Sequence, residues 1–157
     1  LNFDYYLRRT SHGSTLSRVV HAYLSNVMGN QELSWQLYQE ALFSDYTDIQ
    51  GGTTGEGIHT GVMAGTVLQV IFAYAGVFLQ KDRVEIKPNL PKSWKEVSFN
   101  FDFQGVNYAV TVFKDKIDLE INSPKLNSVV VMINDKAYSF KNRKKQRVLL
   151  NETVLVK

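Results

Sequence analysis

The chain has no cysteine and only three prolines among its 157 residues. Without cysteine it can form neither a disulfide framework nor a reactive thiolate. Its three histidines, at positions 12, 21 and 59, match no recognised spacing of metal ligands. The sequence therefore predicts no metal site and no cofactor that depends on sulfur ligands.

Long hydrophobic runs are also missing. The longest run, residues 67–79, is interrupted by Gln69 and Gly76 and is too short to span a bilayer, so it predicts a buried helix. No secretory signal is visible. We expect no membrane partner and a cytoplasmic location.

The excess of positive charge is small, a net +3, and much of it lies in residues 141–147 (KNRKKQR). A nucleic-acid site would interleave such charges with stacking aromatic side chains, and this run has none. The pattern predicts a solvated hairpin loop between two terminal strands. We expect no nucleic-acid partner.

The pattern before about residue 80 is helical. Apolar residues recur at steps of three and four from Leu16 to Val27, and Gly29 is a suitable helix end. A second helix is predicted from about Gln31 to Ser44. A third, apolar nearly all round, is predicted from Thr60 to Gly76.

After residue 80 the apolar period becomes two. The alternating stretches, separated by short turn signals, are residues 83–87, 97–103, 106–113, 117–121, 129–133 and 148–156. Short strands at roughly ten-residue spacing indicate an antiparallel β-sandwich. The sequence thus predicts an α+β chain in which helices come first and strands second.

Two junctions rich in glycine, hydroxyl side chains and histidine each lead into a helix. They are residues 10–17 (TSHGSTLS) and residues 48–61 (DIQGGTTGEGIHTG). Small residues let the backbone approach a ligand, and a helix N-terminus contributes unpaired N–H groups and a partial positive charge. Because each junction also carries a histidine, the pair predicts a phosphate or sugar-phosphate pocket.

These two motifs, with residues 86–94 (IKPNLPKSW) and the strand around residues 99–110, resemble the C-terminal end of the glycoside hydrolase family 65 disaccharide phosphorylases. The resemblance covers the chain up to about residue 121. It implies that residues 1–80 are the C-terminal helices of an incomplete catalytic (α/α)6 barrel. Residues 81–157 would form the small antiparallel β-sandwich domain that follows the barrel.

The resemblance also implies a reaction. Enzymes of this family cleave an α-linked glucose disaccharide with inorganic phosphate and invert the anomeric carbon, so that β-glucose 1-phosphate is released. Phosphate is a co-substrate and no other cofactor is implied. By resemblance, the phosphate-binding residues would be Gly13, Ser14, Thr15, His59 and Thr60, with His12 and Glu56 as possible further members.

The same resemblance places the catalytic general acid upstream of the first motif, outside these 157 residues. Three helices cannot close an (α/α)6 barrel, so the chain is predicted to be a fragment that is inactive alone and needs the rest of the barrel as its partner. The full enzyme is expected to be a homodimer. Among local carboxylates, Glu56 would either cap the third helix or serve a hydrolase, while Asp45 and Asp48 resemble helix-end and loop acids.

Two alternatives remain open from the sequence. One is a phosphate-dependent or ordinary trehalose-type glycoside hydrolase, for which Glu56 is the supporting residue. The other is a non-catalytic β-sandwich module with structural or carbohydrate-contacting roles. The disaccharide itself is not determined, although the form of the second motif favours the trehalose-type branch over maltose.

The third helix gives a first prediction. Without neighbouring helices its apolar residues, such as Val67, Ile71 and Phe72, need a partner. We therefore expect the isolated 157-residue chain to associate or aggregate, as measured by light scattering after size-exclusion chromatography. A monomer with a sharp cooperative unfolding transition would contradict this expectation.

Overall fold

The computed structural model describes residues 2–11, 15–47, 55 and 57–150. The chain divides into two compact units, Leu1–Tyr74 and Ala75–Lys157. Helices form the first unit and strands the second, which confirms the predicted α+β class. The assignment of residues 1–80 to a catalytic barrel and of residues 81–157 to a separate domain stays a prediction.

The described residues of the first unit form a series of helices. They are α1 (Asn2–Leu7), α2 (Thr15–Val27), α3 (Gln31–Leu42), α4 (Ser44–Thr47) and α5 (Thr60–Leu68), and α5 continues as a π-helix over Gln69–Tyr74. Gly29 has φ +80° after the end of α2, a conformation that glycine adopts without strain. Asn30 then caps α3 by accepting a hydrogen bond of 3.1 Å from the Leu33 N–H.

The predicted third helix begins where expected but ends earlier than the apolar run suggests. The run of residues 67–79 is therefore not one buried helix: helical structure ends at Tyr74, and Val77–Leu79 form a strand. Gly76, with φ +70°, turns the chain between the two. The side chain of Val67 is 59% exposed and that of Leu68 is 48% exposed, so this helix also leaves an apolar surface uncovered. Among the described residues no helix is both long and apolar enough to cross a membrane.

The described residues of the second unit, up to residue 150, form two four-stranded sheets. The strands are β1 (Val77–Leu79), β2 (Val84–Ile86), β3 (Glu96–Phe103), β4 (Val106–Phe113), β5 (Lys116–Asn122), β6 (Ser128–Ile133), β7 (Lys136–Lys141) and β8 (Gln146–Leu149). Their order is β1-β2-β6-β7 in one sheet and β3-β4-β5-β8 in the other. All pairs are antiparallel except β2 with β6, which is parallel.

Buried and less buried side chains alternate along the strands, and the buried ones form the core of this unit. The buried side chains of β4 are Val106, Tyr108, Val110 and Val112, and those of β5 on the same face are Ile117, Leu119 and Ile121. From the other sheet Val84, Ile86, Val131 and Ile133 are each at most 1% exposed. The predicted period of two is thus the pattern of burial that the strands show.

The basic run 141–147 forms the connection between β7 and β8 and the start of β8. Arg143, Lys144 and Lys145 are exposed, which confirms that this run is solvated. The predicted hairpin was wrong, because β7 and β8 belong to different sheets and do not pair with each other. Arg147 behaves differently, because it donates two hydrogen bonds of 2.6 and 2.8 Å to the carboxylate of Asp118 on β5. This bidentate pair lowers the pKa of the Asp118 carboxyl below its ordinary value.

Alanine variants at Gly76 and Gly105 provide a matched pair that tests the fold of the sandwich unit. Both have positive φ, +70° and +73°, but a Cβ at Gly76 would lie 1.8 Å from the backbone oxygen of Lys87, whereas a Cβ at Gly105 would meet no atom within 4 Å. We expect Gly105→Ala to lower the free energy of unfolding by about 1–2 kcal/mol through backbone strain alone. Gly76→Ala should lose about 3 kcal/mol or more, because the backbone must also move. Urea unfolding of both variants measures the difference, and equal losses would contradict this prediction.

Candidate functional site

Helices α2 and α5 run in the same direction, which brings their N-termini to one end of the helical unit. One turn into each helix, Val19 packs against Val62 and Gly65. Further along both helices, the side-chain amide of Asn26 donates a hydrogen bond of 2.9 Å to the backbone oxygen of Ala73. Because higher residue numbers on α2 meet higher numbers on α5, the two junctions that precede these helices lead to the same end.

The close contact between the helices depends on Gly65. An added Cβ at this position would lie 2.8 Å from Cγ1 of Val19, a distance that real Cβ atoms do not tolerate. Val19 is branched at Cβ and has little rotamer freedom in a helix. The missing side chain therefore sets the separation between α2 and α5.

Helix α3 runs back along this pair and delivers a carboxylate to the same end. Ala41, near the end of α3, packs in one cluster with Val19 and Val62, and Arg18 of α2 forms an ion pair of 3.1 Å with Glu40. The short helix α4 follows at once. Its Asp45 is thereby brought to the start of α5.

Asp45 holds His59 at two points. One carboxylate oxygen accepts a hydrogen bond of 2.7 Å from the backbone N–H of His59, and the other lies 2.6 Å from the ring atom Nδ1. The side chains of Asp45 and His59 are 13% and 32% exposed. The hydrogen bond with the His59 ring, followed by the one with its backbone, holds the pKa of the Asp45 carboxyl below its ordinary value.

This contact fixes both the backbone N–H and the ring of His59. His59 is the N-cap of α5 but makes no capping hydrogen bond with its own side chain, so the imidazole is not used to satisfy its own helix. Since the Asp45 carboxylate accepts the hydrogen bond from Nδ1–H, Nε2 lies on the opposite edge of the ring, where it accepts a hydrogen bond in the neutral imidazole and donates one in the imidazolium. An imidazole held in this way can donate to, or exchange a proton with, a bound anion.

Of the other predicted phosphate-binding residues, the structure describes only Thr15 and Thr60. Thr15, the first residue of α2, is only 3% exposed, while Thr60, the first residue of α5, is exposed. Gly13 and Ser14, like the possible members His12 and Glu56, lie outside the described residues. The phosphate-binding set therefore stays a prediction.

Sequence reasoning assigned no role to Asp45. It lies 14 positions before His59, and no local spacing connects the two. A carboxylate three residues upstream of the glycine-rich junction at 48–61 was the only signal available, and such a position is ordinary for a helix-end acid. Within the described part of the chain, no three histidine, aspartate or glutamate side chains gather as metal ligands do.

A recess in the sandwich unit bears on the alternative of a carbohydrate-contacting module. It has a volume of about 510 Å³, and its lining includes the aromatic rings of Phe103 and Tyr108 beside the polar side chains of Asp82, Arg83 and Gln104. Arg83 is already paired with Glu85 at 2.9 Å. Aromatic and polar groups together could contact a sugar, but nothing else in this recess indicates a ligand.

Comparison with known proteins identifies the family to which the chain belongs. A model of the glycosyl hydrolase family 65 central catalytic domain matches residues 1–68, and a model of the family's C-terminal domain matches residues 79–140. The chain therefore belongs to glycosyl hydrolase family 65, as its motifs predicted.

Two proteins similar to this chain are named as disaccharide phosphorylases. The chain is 40% identical over 129 residues to trehalose 6-phosphate phosphorylase of Lactococcus lactis, a match that covers 82% of this chain and 17% of the relative. It is 32% identical over 120 residues to maltose phosphorylase of Bacillus subtilis, covering 76% of this chain and 16% of that enzyme. The chain thus spans about one sixth of the length of these relatives.

A solved structure shows the same fold. It is a human-microbiome protein assigned as a kojibiose phosphorylase, with a TM-score of 0.79 and 23% sequence identity, and the match covers 94% of this chain and 19% of that protein. At this identity the likeness supports the fold of the chain.

The helix contact beneath the site gives a stability prediction with a built-in control. Gly65→Ala should lower the free energy of unfolding by about 1 kcal/mol, because overpacking against Val19 outweighs the gain in helix propensity. Gly61→Ala lies in the same helix, and its Cβ would meet no atom within 4 Å. That variant should be neutral or up to about 1 kcal/mol more stable. Urea unfolding of the two variants tests this, and a Gly65→Ala chain as stable as the Gly61→Ala chain would show that α2 and α5 do not pack so closely.

Proposed function

We propose that this chain is the phosphate-binding end and the C-terminal domain of an inverting α-glucoside disaccharide phosphorylase of cytoplasmic location. The observation that carries the proposal is the arrangement at the start of α5. His59 is held by Asp45 at the N-terminus of that helix, and α2, which begins at Thr15, starts at the same end of the unit. Two helix N-termini and an oriented imidazole suit a phosphate ion.

In the proposed reaction, phosphate takes the place that an activated water has in an inverting hydrolase. A phosphate oxygen forms a bond to the anomeric carbon while the bond from that carbon to the leaving sugar oxygen breaks, and a general acid gives its proton to that oxygen. Phosphate brings its own nucleophilic oxygen, so the site needs donors rather than a general base. Those donors would be the backbone and hydroxyls of Gly13, Ser14, Thr15 and Thr60, together with His59.

The general acid and most of the sugar pocket belong, in this proposal, to the remainder of a longer polypeptide. The exposed apolar residues of α5, Val67 and Leu68, would then contact further helices of the barrel. The isolated chain would be inactive, and the complete enzyme would act as a homodimer.

We further propose a trehalose-type substrate, with trehalose 6-phosphate as the first candidate. The chain shares 40% identity with a trehalose 6-phosphate phosphorylase and 32% with a maltose phosphorylase. The second junction, residues 48–61, also has the form that favours trehalose over maltose. The side chains that recognise the acceptor sugar would lie outside this chain.

The test uses the full-length protein that carries this segment. Phosphate-dependent release of β-glucose 1-phosphate should be followed with trehalose 6-phosphate, trehalose, maltose and kojibiose. Ser14→Ala and His59→Ala should each raise the KM for phosphate roughly tenfold to a hundredfold, because each removes a hydrogen bond to a charged group. Ser139→Ala, an exposed position on β7 whose hydrogen bond uses only its backbone oxygen, is the control and should leave the KM unchanged.

Three other outcomes of this kinetic test would each support a different conclusion. Glucose release that does not require phosphate would support the hydrolase alternative and direct attention to Glu56. A full-length product of 157 residues that folds but acts on no disaccharide would leave the non-catalytic module. An unchanged KM for phosphate in both variants would overturn the proposed phosphate cradle.

A further inference from the structure

Asp45 uses both of its carboxylate oxygens on a single residue. One accepts the backbone N–H of His59 at 2.7 Å and the other contacts Nδ1 of the same residue at 2.6 Å. A contact to the backbone alone would be sufficient to hold the loop at the start of α5. The second contact instead fixes which way the imidazole ring faces.

The carboxylate is itself rigidly supported. Ser44, immediately before Asp45, is fully buried, and its hydroxyl donates a hydrogen bond of 2.8 Å to the backbone oxygen of Ala41. Ala41 is fully buried in the cluster with Val19 and Val62. The orientation of Asp45 is therefore tied to the same packing that sets α2 and α5 side by side.

We propose that Asp45 is a positioning residue for phosphorolysis: by holding Nδ1 of His59 against its carboxylate, it sets the orientation in which the imidazole ring meets the phosphate. This inference rests on the proposed function, in which His59 binds phosphate. Asp45 does not touch phosphate itself, and its negative charge faces Nδ1 and the His59 backbone N–H. Its effect on the reaction passes through the imidazole ring.

The decisive variant is Asp45→Asn in the full-length protein. Asparagine has the same shape, but its amide NH2 donates where the carboxylate oxygen accepts, so it either loses the contact with Nδ1 or holds the ring in the tautomer with its proton on Nε2. We expect the KM for phosphate to rise about tenfold, the loss typical of removing the partner that orients a functional histidine. The KM for the disaccharide should stay unchanged. Asp118→Asn, at the ion pair with Arg147 in the sandwich unit, is the control and should leave the KM for phosphate unchanged.

A double-mutant cycle separates positioning of the ring from support of the loop. If Asp45 acts through the ring, Asp45→Asn should change the KM for phosphate less than about twofold once His59→Ala is present. A tenfold effect that persists in the His59→Ala background would overturn the inference, because the backbone contact alone would then explain it. If Asp45→Asn does not fold, Asp45→Glu keeps the charge but displaces the carboxylate by one methylene, and the same cycle applies.

The cycle also distinguishes failure of this inference from failure of the proposed function. If His59→Ala leaves the KM for phosphate unchanged, the phosphate cradle is wrong and the inference fails with it. If His59→Ala raises the KM but Asp45→Asn and Asp45→Glu do not, only the role of Asp45 is wrong.

Discussion

The contact between α2 and α5, permitted by the missing side chain at Gly65, is the constraint on which the helical unit depends. It lets two helices that are far apart in sequence lie side by side and run in the same direction. Parallel helices present their N-terminal N–H groups and partial positive charges at a common end. The antiparallel return of α3 then carries a carboxylate to that end, so a single packing arrangement assembles every described member of the candidate site.

The candidate site also joins one carboxylate to one histidine at two points. Asp45 satisfies the backbone of the N-cap residue of α5 with one carboxylate oxygen and orients its ring with the other. The hydrogen bonds with His59 hold the pKa of the Asp45 carboxyl below its ordinary value. The sandwich unit has a separate core and an ion pair of its own, in which the exposed Arg147 reaches the buried carboxylate of Asp118.

Much of the fold could be predicted from periodicity. The helices over Thr15–Val27 and Gln31–Leu42 and most strands after residue 80 follow the expected repeat, because one face of each is buried. β1 was missed because its residues continue the apolar run of α5, and β7, KAYSFK, carries too few apolar residues to be recognised. The parallel pairing of β2 with β6 could not be predicted, since residues 84–86 and 131–133 are joined by no local turn.

The sequence by itself determined the family, the order of helices and strands, and the two junctions that indicate phosphate, because motifs, burial periods and turn residues are local properties of the chain. Only the tertiary structure decided that Asp45 belongs with His59. Their contact depends on the reversal of the chain after α2, on the direction of α5 and on the close approach at Gly65. No spacing in the sequence encodes that geometry, which arises from packing between segments that are not neighbours along the chain.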